Sequence, residues 1–295
     1  VGKSALERNT TGIRNQAFGR LALDHNTSGQ DNTGLGYAAL TANTNGTNNV
    51  AVGNHALQTA TTASNNTAVG YNSLGVNTTG YENVAVGVSA LSSNTTGLGN
   101  TAVGRVALTA STTASNNTAV GTVSLYSNTT GTSNTALGAY ALQQNSNASN
   151  NTAVGYTALT ANTTGAQNTS IGQGSLAANT TASSNNAFGH NALKAITTGG
   201  ANVGIGYAAG ETATTASNNV LIGIYAGSYD GVDLTTGTQN TIVGSFCKVS
   251  AAAAAGQTVL GYYVTSSGDN TLTFGNATTD SAIAYGATSI TAPSD

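Results

Sequence analysis

The chain has 295 residues, a net charge of −3 and only 6 % charged residues, against roughly a quarter in ordinary globular proteins. Seven scattered Lys and Arg cannot form the stripe that neutralises nucleic-acid phosphates, so no nucleic-acid partner is expected. No apolar run approaches the ~20 residues that span a bilayer, so no membrane insertion is expected either.

In chain order, the first element met is a repeat. From Gly2 a glycine recurs every 17 residues through Gly19, Gly36, Gly53 and onward to Gly223. The phrase Asn-Thr-Ala-Val-Gly stands in full at 66–70, 100–104, 117–121 and 151–155. A fixed period of this length is the signature of a solenoid. Gly, Ser, Thr and Asn dominate, a composition that also suits disorder, but a disordered linker has no reason to hold apolar residues at fixed phase. Counting each glycine as position 1, position 5 is Leu in twelve successive repeats, from Leu6 to Leu193. Position 17 is always large and apolar, as in Phe18, Leu35, Val52 and Ile205. These two columns read as the core. Positions 4 and 16 are small, as in Ala5, Ser73 and Ala102, which predicts that another backbone or sheet passes close by.

Position 14 is Asn in every repeat from Asn15 to Asn219. Asn caps its own turn and can stack on its copies by amide hydrogen bonds, so this column predicts a turn ladder. Each repeat then supplies two short strands and two turns, one coil of an all-β parallel β-solenoid. At about 4.8 Å per coil, fourteen coils would reach roughly 65 Å. One Leu, one Val and a few Ala per coil bury little, at ~25 cal/mol per Å², against the entropy of 17 ordered residues. Burial of the small-residue face against symmetry mates, most simply in a homotrimer, would offset that deficit.

The repeat Asn-Thr-Ala-Val-Gly-x-x-Ala-Leu resembles the head-domain repeat of trimeric autotransporter adhesins, and is similar to repeats of phage tail fibres. The resemblance covers residues 1 to about 244. It implies a left-handed parallel β-roll, trimerised through its inner face and acting in adhesion at an extracellular surface, on a virion tail or a bacterial cell. The period departs from the family's, which is typically shorter.

Past Gly223 the rhythm changes. An insertion of four residues lies within 228–234, and later glycines fall at Gly244, Gly261, Gly275 and Gly286. The chain thus divides into a repeat solenoid over 1–243 and a tapering C-terminal β cap over 244–295. Strand-like runs at 259–264 and 271–274 flank a turn at 266–269 and predict a hairpin. The stretch 275–280, followed by Ala-Pro-Ser-Asp at 292–295, resembles the junction leading into the endosialidase-type intramolecular chaperone of tail fibres. That resemblance implies a C-terminal chaperone in the precursor, removed near Ser294 and Asp295. The chain holds no Met and Val1 falls inside a repeat, which reads as a piece of a longer product.

Chemistry is sparsely represented. Glu7 and Asp24 share position 6 one coil apart, a separation that would suit a retaining glycosidase. They are crowded by Lys3, Arg8, Arg14, Arg20, His25 and Asp31, which reads instead as a charged, solvated end or attachment surface. His25, His55 and His190 are scattered with no second ligand type in phase, so no metal is expected. Asp230 and Asp233 in the insertion lack the nonapeptide calcium pattern. Neither catalysis nor a cofactor is expected. Binding suits the chain better. Position 2 varies freely and carries Tyr37, Tyr71, Tyr156, Tyr207 and Tyr262, a line of exposed rings suited to a host-cell glycan or protein receptor. The sequence therefore predicts a structural spacer with an adhesive surface. The alternatives are an ice-binding solenoid, suggested by the Thr column at position 9, and a self-assembling filament without a specific receptor.

Overall fold

The computed structural model describes residues 2–276 and 281–284. It divides into two units, Val1–Val154 and Gly155–Asp295. Both are parallel β-solenoids with one coil per 17 residues. Each coil contributes a single three-residue strand at positions 15–17, not two. In the first unit these run from β1 (Gln16–Phe18) to β9 (Thr152–Val154), and in the second from β10 (Thr169–Ile171) to β14 (Thr241–Val243). Registers step by one repeat, as Thr101↔Thr118, Ala102↔Ala119 and Val103↔Val120 show. β15 (Thr258–Tyr262) pairs with β14 and then, in parallel, with β16 (Thr271–Asn276). The hairpin expected at 259–274 is therefore another coil, because Ser266 to Asn270 turn a corner of the coil and do not reverse the chain. The antiparallel partner of β16 is β17 (Ser281–Ala284). The chaperone-like ending, with Ser294 and Asp295, lies outside the described residues, as does Gly286.

Three consecutive strand residues can turn only one parity inward. The inward one is position 16, so Ala51, Ala68, Ala102 and Ala119 are fully buried. Position 17 points outward. Phe18, Leu35, Leu137 and Ile205 are exposed, which corrects their placement in the core. The interior is filled from the opposite wall by the position-5 Leu, fully buried from Leu23 through Leu193. The small columns at positions 4 and 16 thus face into their own coil and not toward symmetry mates.

The position-14 Asn forms the expected ladder, inside the coil. Asn117 donates both its backbone N–H (3.0 Å) and its amide Nδ2 (3.3 Å) to Oδ1 of Asn100. Its Nδ2 also reaches the Gly131 carbonyl at 2.9 Å. A second amide ladder runs at position 8, where Asn43 Nδ2 donates to Asn26 Oδ1 at 2.7 Å and Asn94 Nδ2 to Asn77 Oδ1 at 2.8 Å. It is interrupted by Ala60, Ser111 and Ile196. Within this ladder, among the described residues, the buried Oδ1 atoms of Asn43, Asn94 and Asn179 have no hydrogen-bond partner, and each stands one coil before an interruption.

The wall opposite the strands is built from left-handed residues. Positions 3, 5 and 13 have positive φ, as in Val106 (52°), Leu108 (53°) and Asn116 (60°), a conformation costing roughly 1–2 kcal/mol for a residue with a Cβ. Neighbouring coils hold them there. Val106 N–H donates to Val88 O at 2.9 Å, Leu108 N–H to Ser124 O at 3.0 Å and Asn116 N–H to Leu98 O at 3.0 Å. The position-1 glycine is required for a different reason. Gly104 has φ 135°, and a Cβ there would lie 2.5 Å from the carbonyl oxygen of Gly121, so no side chain fits between coils.

Candidate functional site

Two surfaces stand apart from the repetitive polar exterior. The first is the outward face of the strands. Positions 15 and 17 project from it together, giving Thr33 with Leu35, Val50 with Val52, Thr67 with Val69, and Thr101 with Val103, one pair per coil. Its side chains are uncharged, mostly Thr or Val at position 15 and apolar at position 17. Threonine hydroxyls at position 9, by contrast, are consumed inside the stack. Thr10 Oγ1 donates to the Thr27 carbonyl at 2.9 Å, and that same carbonyl accepts the N–H groups of Thr10, Thr11 and Gly12.

The second surface is aromatic. All five position-2 tyrosines are exposed, but the structure groups them unequally. In the first unit His55 bridges Tyr37 and Tyr71 edge-on, with ring centroids 5.2 and 6.0 Å away, and Arg20 lies 5.9 Å over the Tyr37 ring. In the second unit Tyr207 and Tyr262 join a larger assembly. His190 stacks on Tyr207 at 5.1 Å, and Tyr207 meets Tyr225 edge-on at 5.3 Å. Position 3 then carries Tyr225, Phe246 and Tyr263 on successive coils, stacked at 6.1 and 4.8 Å. Tyr262 packs edge-on against Tyr263 at 4.7 Å.

The insertion completes this assembly. Tyr229 lies across Phe246 (4.9 Å) and Tyr263 (5.3 Å), and its hydroxyl is 3.3 Å from that of Tyr263. Hydrogen bonding to Tyr229 and to Tyr207 holds the phenols of Tyr263 and Tyr225 above the ordinary tyrosine value, so both stay protonated. Lys248 Nζ sits 5.4 Å over the Tyr229 ring and pairs with Asp230 at 2.9 Å. Asp233, beside it, has its carboxyl pushed above the ordinary value by burial and by the nearby Asp230 and Glu211 charges. Asp230 is thus engaged by an ammonium group. Position-2 spacing pointed to Tyr207 and Tyr262. It missed Tyr225, Phe246 and Tyr263, which lie one place further on, and Tyr229, which lies outside the repeat.

No protein-family model matches the chain, and no characterised protein or solved structure matches it either. The functional reading therefore rests on these surfaces.

The charged N-terminal coils contain one buried group. Asp24 is buried, with Oδ1 lacking a hydrogen-bond partner and Oδ2 3.6 Å from His25 Nδ1. Glu7, by contrast, is exposed. Asp24 is therefore not part of a solvated end. Arg14 and Asp31 do form an exposed pair, with Nη2 to Oδ2 at 2.7 Å. Among the described residues no group of three His, Cys, Asp or Glu could hold a metal ion, and no helix is long and apolar enough to cross a membrane.

Proposed function

We propose that the chain is a segment of an extracellular homotrimeric fibre, a spacer with an adhesive surface, mounted on a phage tail or a bacterial cell. The observation that carries this reading is the outward strand face. Monomeric proteins rarely leave large apolar surface uncovered, and the apolar position-17 column, exposed at Phe18, Leu35, Leu137 and Ile205, recurs on every coil. Two further copies of the same chain are the natural cover, because their stripes share its rise per coil. Three-fold symmetry then repeats each receptor contact and raises avidity. The receptor is a host-surface glycan or protein, and the exposed tyrosines are the contacts. In this reading the chain catalyses nothing and takes no cofactor, and its precursor carries a C-terminal chaperone.

Light scattering or native mass spectrometry of the folded protein tests the trimer. Three chains per particle are expected, and Val103→Glu with Val120→Glu, which puts carboxylates on the stripe, should release monomers. A stable wild-type monomer would overturn the fibre. One observation favours a second reading in that event. Thr at position 15 beside Val at position 17, repeated at about 4.8 Å on a parallel sheet, is a face suited to ordered water. Thermal hysteresis in the monomer, lost on Thr101→Lys, would then establish ice binding.

A further inference from the structure

The insertion at 228–234 adds chain at one corner of a coil, yet Asn219 and Asn240 keep their ladder across it, with Asn240 Nδ2 2.9 Å from Asn219 Oδ1. The added residues therefore do not serve the stack. What they do is carry Tyr229 and Asp230 onto the aromatic assembly, and insertions on solenoids map to loops on one face, often the binding face. We propose that this assembly is a platform for a neutral polysaccharide, which stacks on Tyr207 and Tyr262 and hydrogen-bonds the rim formed by Tyr229, Asp230 and Lys248.

Four features point to that chemistry. The platform rings are locked by one another, so a ligand that stacks on them does not have to freeze their rotamers. Tyr207 and Tyr262 remain 47 % and 55 % exposed, offering free ring surface to the C–H faces of pyranose rings. The ammonium of Lys248 is already neutralised by Asp230, so the platform has no spare cation for a phosphate or sulfate polymer, while the carboxylate and phenols suit sugar hydroxyls. Finally, successive coils rise about 4.8 Å, close to the repeat of an extended pyranose chain, so a chain lying along the stack keeps step with the coils from Tyr207 past Ile224 and Ser245 to Tyr262. The inference rests on the adhesive reading and narrows its receptor to one class and one place.

Affinity electrophoresis of the whole protein through native gels cast with hydroxyethylcellulose, galactomannan or dextran tests it, with heparin as the anionic polymer. Retardation in at least one neutral gel is expected. Loss of two stacking rings in Tyr207→Ala with Tyr262→Ala should weaken it about tenfold or more. Tyr207→Phe with Tyr262→Phe, which keeps the ring faces, should retain most of it, and Val88→Ala, at an exposed position 2 of the first unit, should leave it unchanged. The chain contains no Trp, so quenching of tyrosine fluorescence by the same polymers gives an independent reading. The single variant Tyr262→Ala serves if the double one misfolds. Absence of retardation in all three neutral gels, retardation by heparin alone, or full retention in the Tyr→Ala variants would overturn the proposal. Binding of the protein to intact cells separates the two readings. Cell binding that survives such a result keeps the adhesive function and moves it to a protein receptor or another face, and its absence removes both.

Discussion

The coils that begin at Gly19 through Gly189 and those that begin at Gly206 and Gly223 fill the same interior in opposite ways. In the former, position 5 is a buried Leu and position 16 is Ala, Gly or Ser. Gly34, for instance, lies where an added Cβ would be 3.4 Å from Leu23 Cγ, and at Gly204 the distance to Leu193 Cγ would be 2.6 Å. In the latter, position 5 becomes Gly210 or Gly227, while position 16 becomes Leu221 or Ile242, both fully buried. A Cβ on Gly210 would lie 2.5 Å from Leu221 Cδ1. Each coil thus has room for one large side chain, and either wall supplies it. The amide ladder at position 14 makes no such exchange, since Asn202, Asn219 and Asn240 continue it unaltered. Volume is negotiable between the walls, and the polar ladder is not, because a neighbour can refill a void whereas no neighbour can replace a buried acceptor.

The largest effect is therefore expected in the ladder. Asn100→Ala leaves the backbone N–H of Asn117 and the carbonyl of Ala114 without side-chain partners and should cost about 4 kcal/mol, read from the urea midpoint. Leu108→Ala opens a cavity worth about 3 kcal/mol. Ala119→Leu overpacks the same coil and should cost about 2 kcal/mol. Combining Leu108→Gly with Ala119→Leu rebuilds the pattern of the coil at Gly206, so its cost should fall well below the sum of Leu108→Gly and Ala119→Leu measured singly. A simple sum in that double-mutant cycle would refute the exchange between walls. Ala60→Asn restores the broken position-8 ladder and gives the orphaned Asn43 Oδ1 a donor, which should stabilise by about 1 kcal/mol. Unchanged protection of the adjacent amides against hydrogen exchange would contradict it.

The smallest effect concerns pH, because amide ladders do not titrate. Asp233, whose folded value is raised, contributes in the opposite sense, losing stability as pH rises through that value; otherwise stability should change little between about pH 5 and 9. Arg14 holds Asp31 below its ordinary value, and the Ala255 N–H and the Gln257 amide do the same for Asp269. Their folded values are lowered, so their contribution is present above the ordinary value of 3.8 and is lost as pH falls through the folded values. A melting temperature that drops only below that point, and in Asp269→Asn drops less, is the expected result.

Much of this was legible in the sequence, for reasons that also mark its limits. The 17-residue period, the buried Leu at position 5 and the Asn ladder follow from residues whose chemistry is the same in every coil. Position 17 misled because it is as regular and as apolar as position 5. Only the fact that the Leu already occupies the interior decides that Ala102 faces in and Val103 faces out, and that is a three-dimensional fact. The left-handed Val106 and Leu108 run against local propensity, so no local signal announces them. Hydrogen bonds to residues one coil away impose them. The aromatic platform was legible at Tyr207 and Tyr262 through their phase. Phe246 and Tyr263 reach it from the next position, and Tyr229 comes from chain that has no phase at all.

The position-1 glycines touch backbone to backbone, and the hydrogen bonds between regular coils link the same pairs of positions in adjacent repeats, 14 to 20 places apart. Deletion of 88–104, which joins Gly87 to Arg105, therefore restores each column with a residue of the same kind. Addition of one copy does the same. Extra chain that is not a whole coil is accommodated at the corner after position 5, where 229–233 bulge outward between the buried Ser228 and Leu234 without disturbing the register of β13 (Val220–Ile222) and β14. Unequal recombination between near-identical repeats lengthens or shortens the product of a gene encoding this fold by whole coils. The number of coils is thereby uncoupled from the stability of each one, so coils can be gained or lost without redesigning a single contact.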